Sequence, residues 1–140
     1  MSYCGIGLYN PKSSCNVGSA LRAAECYGAD FIAATGIRYQ KSATDTSKSI
    51  YTIPLFQVED LHKIIPYACV PVAIEFISTS TSLFEYKHPD RAFYIFGPED
   101  GTLGHKVLDW CRDIVYIPTK ICMNLAATIN VVLYDRMCKE

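Results

Sequence analysis

Cys122-Met123-Asn124-Leu125-Ala126-Ala127-Thr128-Ile129-Asn130-Val131-Val132-Leu133-Tyr134 is the stretch on which the architecture turns. It is long enough for a helix but apolar nearly all round, so such a helix must be covered on more than one side. Its two Asn and one Thr argue against a membrane span, as does a length below the ~20 apolar residues that spanning requires. In a chain of 140 residues a sheet can cover one side of it, and a second subunit is the simplest cover for the other. The expectation is a homodimer with this helix in its interface and no membrane contact.

Working back from that stretch, Ile114-Val115-Tyr116-Ile117 reads as a buried strand ended by Pro118. Ala92-Phe93-Tyr94-Ile95-Phe96 is a continuous apolar run, the mark of a strand covered on both faces. After it, Gly97-Pro98-Glu99-Asp100-Gly101 turns the chain into a helix through Leu103, Val107, Leu108 and Trp110. Residues 70–76 read as another strand, and residues 58–65 have helical spacing up to Pro66. At the amino end, Cys4–Tyr9 is a short strand bounded by Asn10-Pro11. Asn16 stands as the N-cap of a helix that buries Val17, Ala20, Leu21 and Ala24 and stops at Gly28. Phe31-Ile32-Ala33-Ala34 then completes a strand–helix–strand unit, which requires parallel strands. The fold class is α/β, a parallel sheet flanked by helices, with residues 1–140 forming one domain. Residues 36–50 read as a polar, mobile loop, the kind that is usually functional when it interrupts a small domain.

Composition narrows the function. Half the residues are hydrophobic and 19% are charged, with 13 Lys+Arg against 14 Asp+Glu. Such a balance gives no bulk electrostatic sign of nucleic-acid binding, although residues 1–50 carry five basic side chains against three acidic ones. Seven cysteines with no Cys-x-x-Cys pair, three scattered histidines and no leader-like start lead us to expect a reduced cytoplasmic protein without metal. Most of the thiols are expected to serve as small core hydrophobes. In parallel sheets ligands bind where the carboxyl ends of the strands meet the loops. Neither Gly5-Ile6-Gly7 nor the run from Gly97 to Lys106 has the offsets of a dinucleotide or triphosphate loop, and no nucleophile elbow or triad stands out.

Three segments do carry a pattern. Asn16-Val17-Gly18-Ser19-Ala20-Leu21-Arg22 resembles the first motif of the SPOUT methyltransferases of the TrmH-like branch. Phe96-Gly97-Pro98-Glu99 resembles their second, and Ile117-Pro118 followed by Met123-Asn124-Leu125 resembles their third. The three occur in order across residues 16–134. Gly101 stands one residue earlier than the family pattern has it, and Cys122 stands where Ser is common. The resemblance implies a C-terminal segment threaded into a deep trefoil knot, S-adenosylmethionine bound within that knot and a homodimer. It also implies methylation of a ribose 2′-hydroxyl in RNA, with a compact tRNA loop as the expected target.

The same resemblance assigns roles. Phe76, Gly97, Pro98, Glu99, Ile117, Cys122, Met123 and Leu125 would cradle S-adenosylmethionine. Arg22 would orient the target ribose and stabilise the developing alkoxide, since a guanidinium is effectively always protonated and makes a poor base. Asn16, Glu99 and Asn124 would complete the catalytic set. Apart from the motifs, Arg38, Lys41 and Lys48 are candidates to meet RNA phosphates, given their neighbourhood near the first motif's end of the sheet.

Each residue also has a plain structural account. Arg22 can pair with Glu25 along a helix, Asn16 and Asn124 can cap, Glu99 suits a helix N-terminus, Gly97 suits a turn, and the three basic residues suit a solvated loop. A non-catalytic RNA-binding module of the same fold, a ribosomal-RNA methyltransferase and an unknotted flavodoxin-like domain remain as alternatives.

Overall fold

The computed structural model describes residues 2–41 and 52–140, with Lys41 described in its backbone alone. Among these residues seven strands form one sheet: β1 (Tyr3–Leu8), β2 (Phe31–Ala34), β3 (Leu55–Gln57), β4 (Val70–Ile74), β5 (Thr81–Ser82), β6 (Arg91–Phe96) and β7 (Asp113–Tyr116). Their order is β3-β2-β1-β6-β4-β7-β5 and every pairing is parallel. The helices are α1 (Ser14–Cys26), α2 (His105–Leu108) and α3 (Leu125–Lys139).

Both faces of the central strands are buried, as the continuous apolar runs require. Ile6, Leu8, Ile32, Tyr94, Phe96 and Val115 pack beneath α1 and α3. Phe31, Ala33, Phe93 and Ile95 face the other way, against Leu61, Leu103 and Val107. The glycines of β1 make this second layer possible. A Cβ at Gly5 would lie 2.4 Å from the Phe31 ring and one at Gly7 would lie 2.8 Å from that of Phe93. In the space they leave, Phe31 and Phe93 stack with centroids 5.7 Å apart.

Helix α1 starts earlier than expected. Ser13, not Asn16, is the N-cap: its Oγ accepts the Asn16 N–H at 3.3 Å, which puts Asn16 in the first turn. Its end is as expected. Gly28 has φ of +70°, and the Ala29 and Gly28 N–H groups return to the carbonyls of Ala24 and Glu25, the double closure of a Schellman motif.

The cover over the second face is thinner than the spacing suggests. Residues 58–65 supply only a 3-10 turn, Leu61–Ile64, because β3 uses residues 55–57 and Asp60 caps the turn through the His62 N–H. The helix expected after Gly101 is the single turn α2, delayed by Gly104 at φ +78°. Residues 38–41, expected as loop, form a 3-10 turn. Residues 42–50, Lys48 included, lie outside the described residues.

Helix α3 begins three residues inside the decisive stretch and runs past it to Lys139. Leu125, Ile129, Val132, Leu133 and Arg136 form its buried stripe, whereas Val131, Tyr134 and Met137 are exposed. Polar anchors explain the extra length. Arg136 is 5% exposed and donates to the Pro89 and Asp90 carbonyls, the Tyr94 hydroxyl and Ser2 Oγ. Lys139 donates to the carbonyls of Leu83, Phe84 and Tyr86 and pairs with Asp135. Both cations sit in the last turn, where the helix dipole favours them. His88 is held between Tyr94 Oη at 2.7 Å and Asp135 Oδ2 at 2.8 Å. A carboxylate only accepts, so Nε2 carries the proton in the neutral ring, while Nδ1 accepts from the tyrosine.

The thiols depart from expectation. Cys4 and Cys69 are buried and Cys111 is half-buried, but Cys15, Cys26, Cys122 and Cys138 are exposed, and all seven are free. Cys15 and Cys26 lie on the solvent side of α1 and Cys138 in the last turn of α3, so most are not core residues. Among the described residues no helix is long and apolar enough to cross a membrane.

Candidate functional site

The carboxyl ends of β4, β6 and β7 open into three loops, residues 75–80, 97–104 and 117–124, and between these loops lies a cavity of about 250 Å³. Phe76, Gly97, Pro98, Glu99, Ile117, Cys122, Met123 and Leu125, the eight residues singled out for one ligand, all line it. Glu75, Tyr116, Thr119 and Thr128 line it as well and were not singled out. The wall combines apolar side chains with the polar groups of Glu75, Glu99, Thr119 and Thr128, a mixture that can both enclose and orient a small ligand.

Each loop is held by specific bonds. Ser80 Oγ donates to the Glu75 carbonyl at 2.9 Å and accepts the Ile77 N–H at 2.8 Å, which closes the first loop. Glu75 then fixes the second, its Oε2 accepting the Leu103 N–H at 3.1 Å while Oε1 accepts the Phe76 N–H at 3.0 Å. Phe76 is 71% exposed and lies edge-on to Tyr116 with ring centroids 5.0 Å apart. The third loop ends at Asn124, whose Oδ1 accepts the Ala127 N–H at 2.8 Å as the cap of α3, and whose carbonyl accepts from the Thr128 hydroxyl.

The catalytic candidates do not converge on the cavity. Glu99 lines it, and its carboxylate accepts the Lys12 N–H at 3.0 Å. Asn124 stands between two lining residues without lining the cavity itself. Asn16 is half-buried in the first turn of α1. Arg22 is exposed on α1 and does not line the cavity; Glu25, its potential helical partner, accepts from Thr52.

Of the three basic residues expected at RNA, Arg38 makes a two-point ion pair with Asp100 at 2.8 and 3.1 Å and donates to the Asn10 carbonyl at 2.7 Å. That pair holds the Asp100 carboxyl below its ordinary range. The Lys41 side chain and Lys48 lie outside the described residues. Among the described residues no group of three or more His, Cys, Asp or Glu is placed to hold a metal ion.

The signal for the eight lining residues was their family pattern. Glu75 carries no such signal, since it is placed by the neighbouring of β4 and β7 in the sheet. Arg38 and Asp100 are 62 residues apart in sequence, and nothing in their spacing announces the pair.

A family model described as the SpoU rRNA Methylase family matches residues 4–134. No curated relative matches the sequence. Among solved structures, the SpoU methyltransferase AviRb from Streptomyces viridochromogenes, in complex with AdoMet, superposes with a TM-score of 0.82 at 20% identity. That match covers 99% of this chain and 60% of AviRb, so the chain spans about three fifths of the AviRb length. The A. aeolicus TrmH/SpoU tRNA modifying enzyme gives a TM-score of 0.85 at 14% identity, over 99% of this chain and 76% of that one. A structure described as concerning 2-OH methylation of C/U34 on tRNA gives 0.80 at 18% identity, over 99% of this chain and 91% of that one. At these identities the likeness establishes a shared fold.

Proposed function

The chain is a member of the SpoU rRNA Methylase family, as its TrmH-like motifs imply, and on that premise we propose that it is an S-adenosylmethionine-dependent RNA 2′-O-ribose methyltransferase acting on tRNA in the reducing cytoplasm. The observation that carries this reading is the meeting of all eight expected cofactor residues around one cavity at the carboxyl ends of β4, β6 and β7. AviRb supports the cofactor, being solved with AdoMet. The structure concerned with C/U34 supports the substrate: it is scarcely longer than this chain, which covers 91% of it.

The residues present fit the cofactor. Ile74, Phe96, Ile117 and Leu125 offer apolar walls, and the carboxylate of Glu75 suits a ligand with cationic groups. When bound, the cofactor supplies an electrophilic methyl group on a sulfonium. The chain's own task is alignment of the hydroxyl with that methyl group. Arg22 orients the ribose and stabilises the developing alkoxide by charge. Glu99 ties the second loop to the Lys12 backbone, and Asn124 keeps its amide nitrogen for the reacting groups while Oδ1 caps α3. Asn16 sets the first turn from which Arg22 projects.

Two further features belong to this reading. The C-terminal segment is threaded into a deep trefoil knot. In support, the 75–80 connection runs from β4 to β5 past the end of β7, with the Glu75 and Leu83 N–H groups bonded to the Val115 and Tyr116 carbonyls beside the departing chain. The protein is a homodimer through α3, for which the exposed Val131, Tyr134 and Met137 offer an apolar surface. Arg22 does not line the cavity of its own chain, and in the proposed dimer it serves the partner's.

Mass spectrometry of ribose-methylated nucleosides in RNA from cells lacking the protein tests the proposal. Loss of one 2′-O-methylnucleoside from tRNA is expected. Its loss from ribosomal RNA instead would move the substrate to the one that the family's description names, and no loss from any RNA would overturn the enzymatic reading.

A further inference from the structure

We propose that Arg38 is a positioning residue for the cofactor, which holds the 97–104 loop in its binding form, and that it is not an RNA contact. The inference rests on the cavity being the S-adenosylmethionine site. Arg38 opens the 3-10 turn that follows β2, yet its guanidinium joins two other segments: Nη1 and Nη2 meet the Asp100 carboxylate, and Nη2 also meets the Asn10 carbonyl. Asp100 stands between Glu99 and Gly101, which both line the cavity, and Asn10 lies in the loop after β1, just before the Lys12 N–H that binds Glu99. One side chain therefore closes a ring through the β1–α1 loop and the wall of the cavity.

The seat for Arg38 is built into the backbone. Asn10 takes the left-handed conformation at φ +50°, and its N–H is fixed by Thr35 Oγ1 at 3.0 Å. Gly36 has φ of +77°, and a Cβ there would lie 2.4 Å from Asn10 Oδ1 and 3.3 Å from Asn10 Cα. Only glycine lets the β2 end approach closely enough for the guanidinium to reach both partners. All three bonds are charge-assisted, and the fork to Asp100 is bidentate, a geometry that fixes orientation as well as distance. With both terminal nitrogens committed and Nε enclosed by protein, little of the guanidinium is left for an RNA phosphate.

A partly exposed pair of this kind contributes little to global stability. Its effect belongs to the loop it restrains, and that separates a positioning role from a merely structural one. The test compares wild type with Arg38→Gln, Asp100→Asn and the double variant, with Arg112→Gln as the control, since it removes a surface arginine paired with Asp113 far from the cavity. Hydrogen exchange of the 99–103 amides is measured without ligand, S-adenosylmethionine binding by calorimetry, and retention of bulk tRNA by filter binding.

We expect faster exchange in the loop and affinity for S-adenosylmethionine about fivefold weaker in each single variant. The double variant should be no weaker than either, because the two residues act as one unit. Thermal midpoint and tRNA retention should stay unchanged, and the control should match wild type throughout. Unchanged loop exchange in Arg38→Gln, additive losses in the double variant, or weakened tRNA retention with cofactor affinity intact would each overturn the proposal. A wild-type protein that binds no S-adenosylmethionine would sink the cofactor reading, while the exchange data would still decide whether Arg38 holds the loop.

Discussion

The Glu75 carboxylate accepts the Leu103 N–H at 3.1 Å, so the first residue after β4 fixes the far side of the loop that leaves β6. Two walls of the cavity are thereby made rigid relative to each other by one acidic side chain that also lines it. Glu75→Ala should cost about 1–2 kcal/mol of stability, the penalty for leaving the Leu103 and Phe76 N–H groups without their acceptor. Glu75→Gln keeps an acceptor and loses the charge, so it should fold nearly as well while binding S-adenosylmethionine about tenfold more weakly. Urea unfolding and calorimetry on both variants separate the two roles; equal cofactor affinity in wild type and Glu75→Gln would remove the electrostatic one.

Asn124 serves two masters in our account, and its two side-chain ends can be separated. Asn124→Ala should lose about 1 kcal/mol with the cap of α3. Asn124→Asp keeps the capping oxygen and replaces the amide nitrogen, so it should regain the stability without regaining turnover. Full activity in Asn124→Asp would reduce the residue to a cap.

Arg136 anchors the far end of α3 with four hydrogen-bond acceptors in a buried position. Arg136→Met matches its length but strands those acceptors, and should cost about 2–4 kcal/mol in urea unfolding. A cost near zero would mean that water replaces the guanidinium without penalty.

Stability should fall with acid in a window set by His88. Burial pushes its pKa below the ordinary imidazole value, an effect larger than the opposing pull of Asp135. The unfolded chain therefore takes up the proton first. The contribution from His88 is complete above about pH 6.5 and declines as pH falls towards the depressed value in the folded state, below which it levels off. His88→Gln should flatten this part of the stability–pH curve; an unchanged slope would assign it to other groups.

How much of this was legible in the sequence depends on whether one segment or several decide a feature. β2 coincides with its apolar run, and β1, β6 and β7 differ from theirs by no more than one residue at an end, because strands buried on both faces carry their own signal. β3 and β5 left no trace: they are the two edge strands, three and two residues long, too short for any alternation to show. Asn16 satisfies the preference for Asn at an N-cap, but Ser13 three residues earlier meets the same requirement and wins. The cavity residues were readable only through motif likeness, since Gly97, Ile117 and Leu125 contribute walls that no chemical pattern distinguishes from core. The Arg38–Asp100 pair depends on the tight approach of Gly36 to Asn10, a feature of the assembled sheet edge and not of any one segment.

The proposed exchange of catalytic groups between protomers has its own signature. Arg22→Ala should retain S-adenosylmethionine and lose turnover, whereas a variant whose cavity is blocked, for example Gly97→Trp, should lose cofactor and turnover together. Mixing the two inactive proteins should restore up to about a quarter of wild-type activity, the share of sites that pair an intact Arg22 with an intact cavity across a dimer. No recovery after subunit exchange, verified by mass, would place Arg22 in the chemistry of its own chain or outside it.

The most direct test of the central claim is a single incubation of the protein with methyl-labelled S-adenosylmethionine and unmodified tRNA, followed by digestion to nucleosides and mass spectrometry. The account requires the label in one 2′-O-methylnucleoside, and none when Arg22 is replaced by Ala. Label on a base, or no transfer to tRNA or ribosomal RNA while the cofactor stays bound, would contradict it.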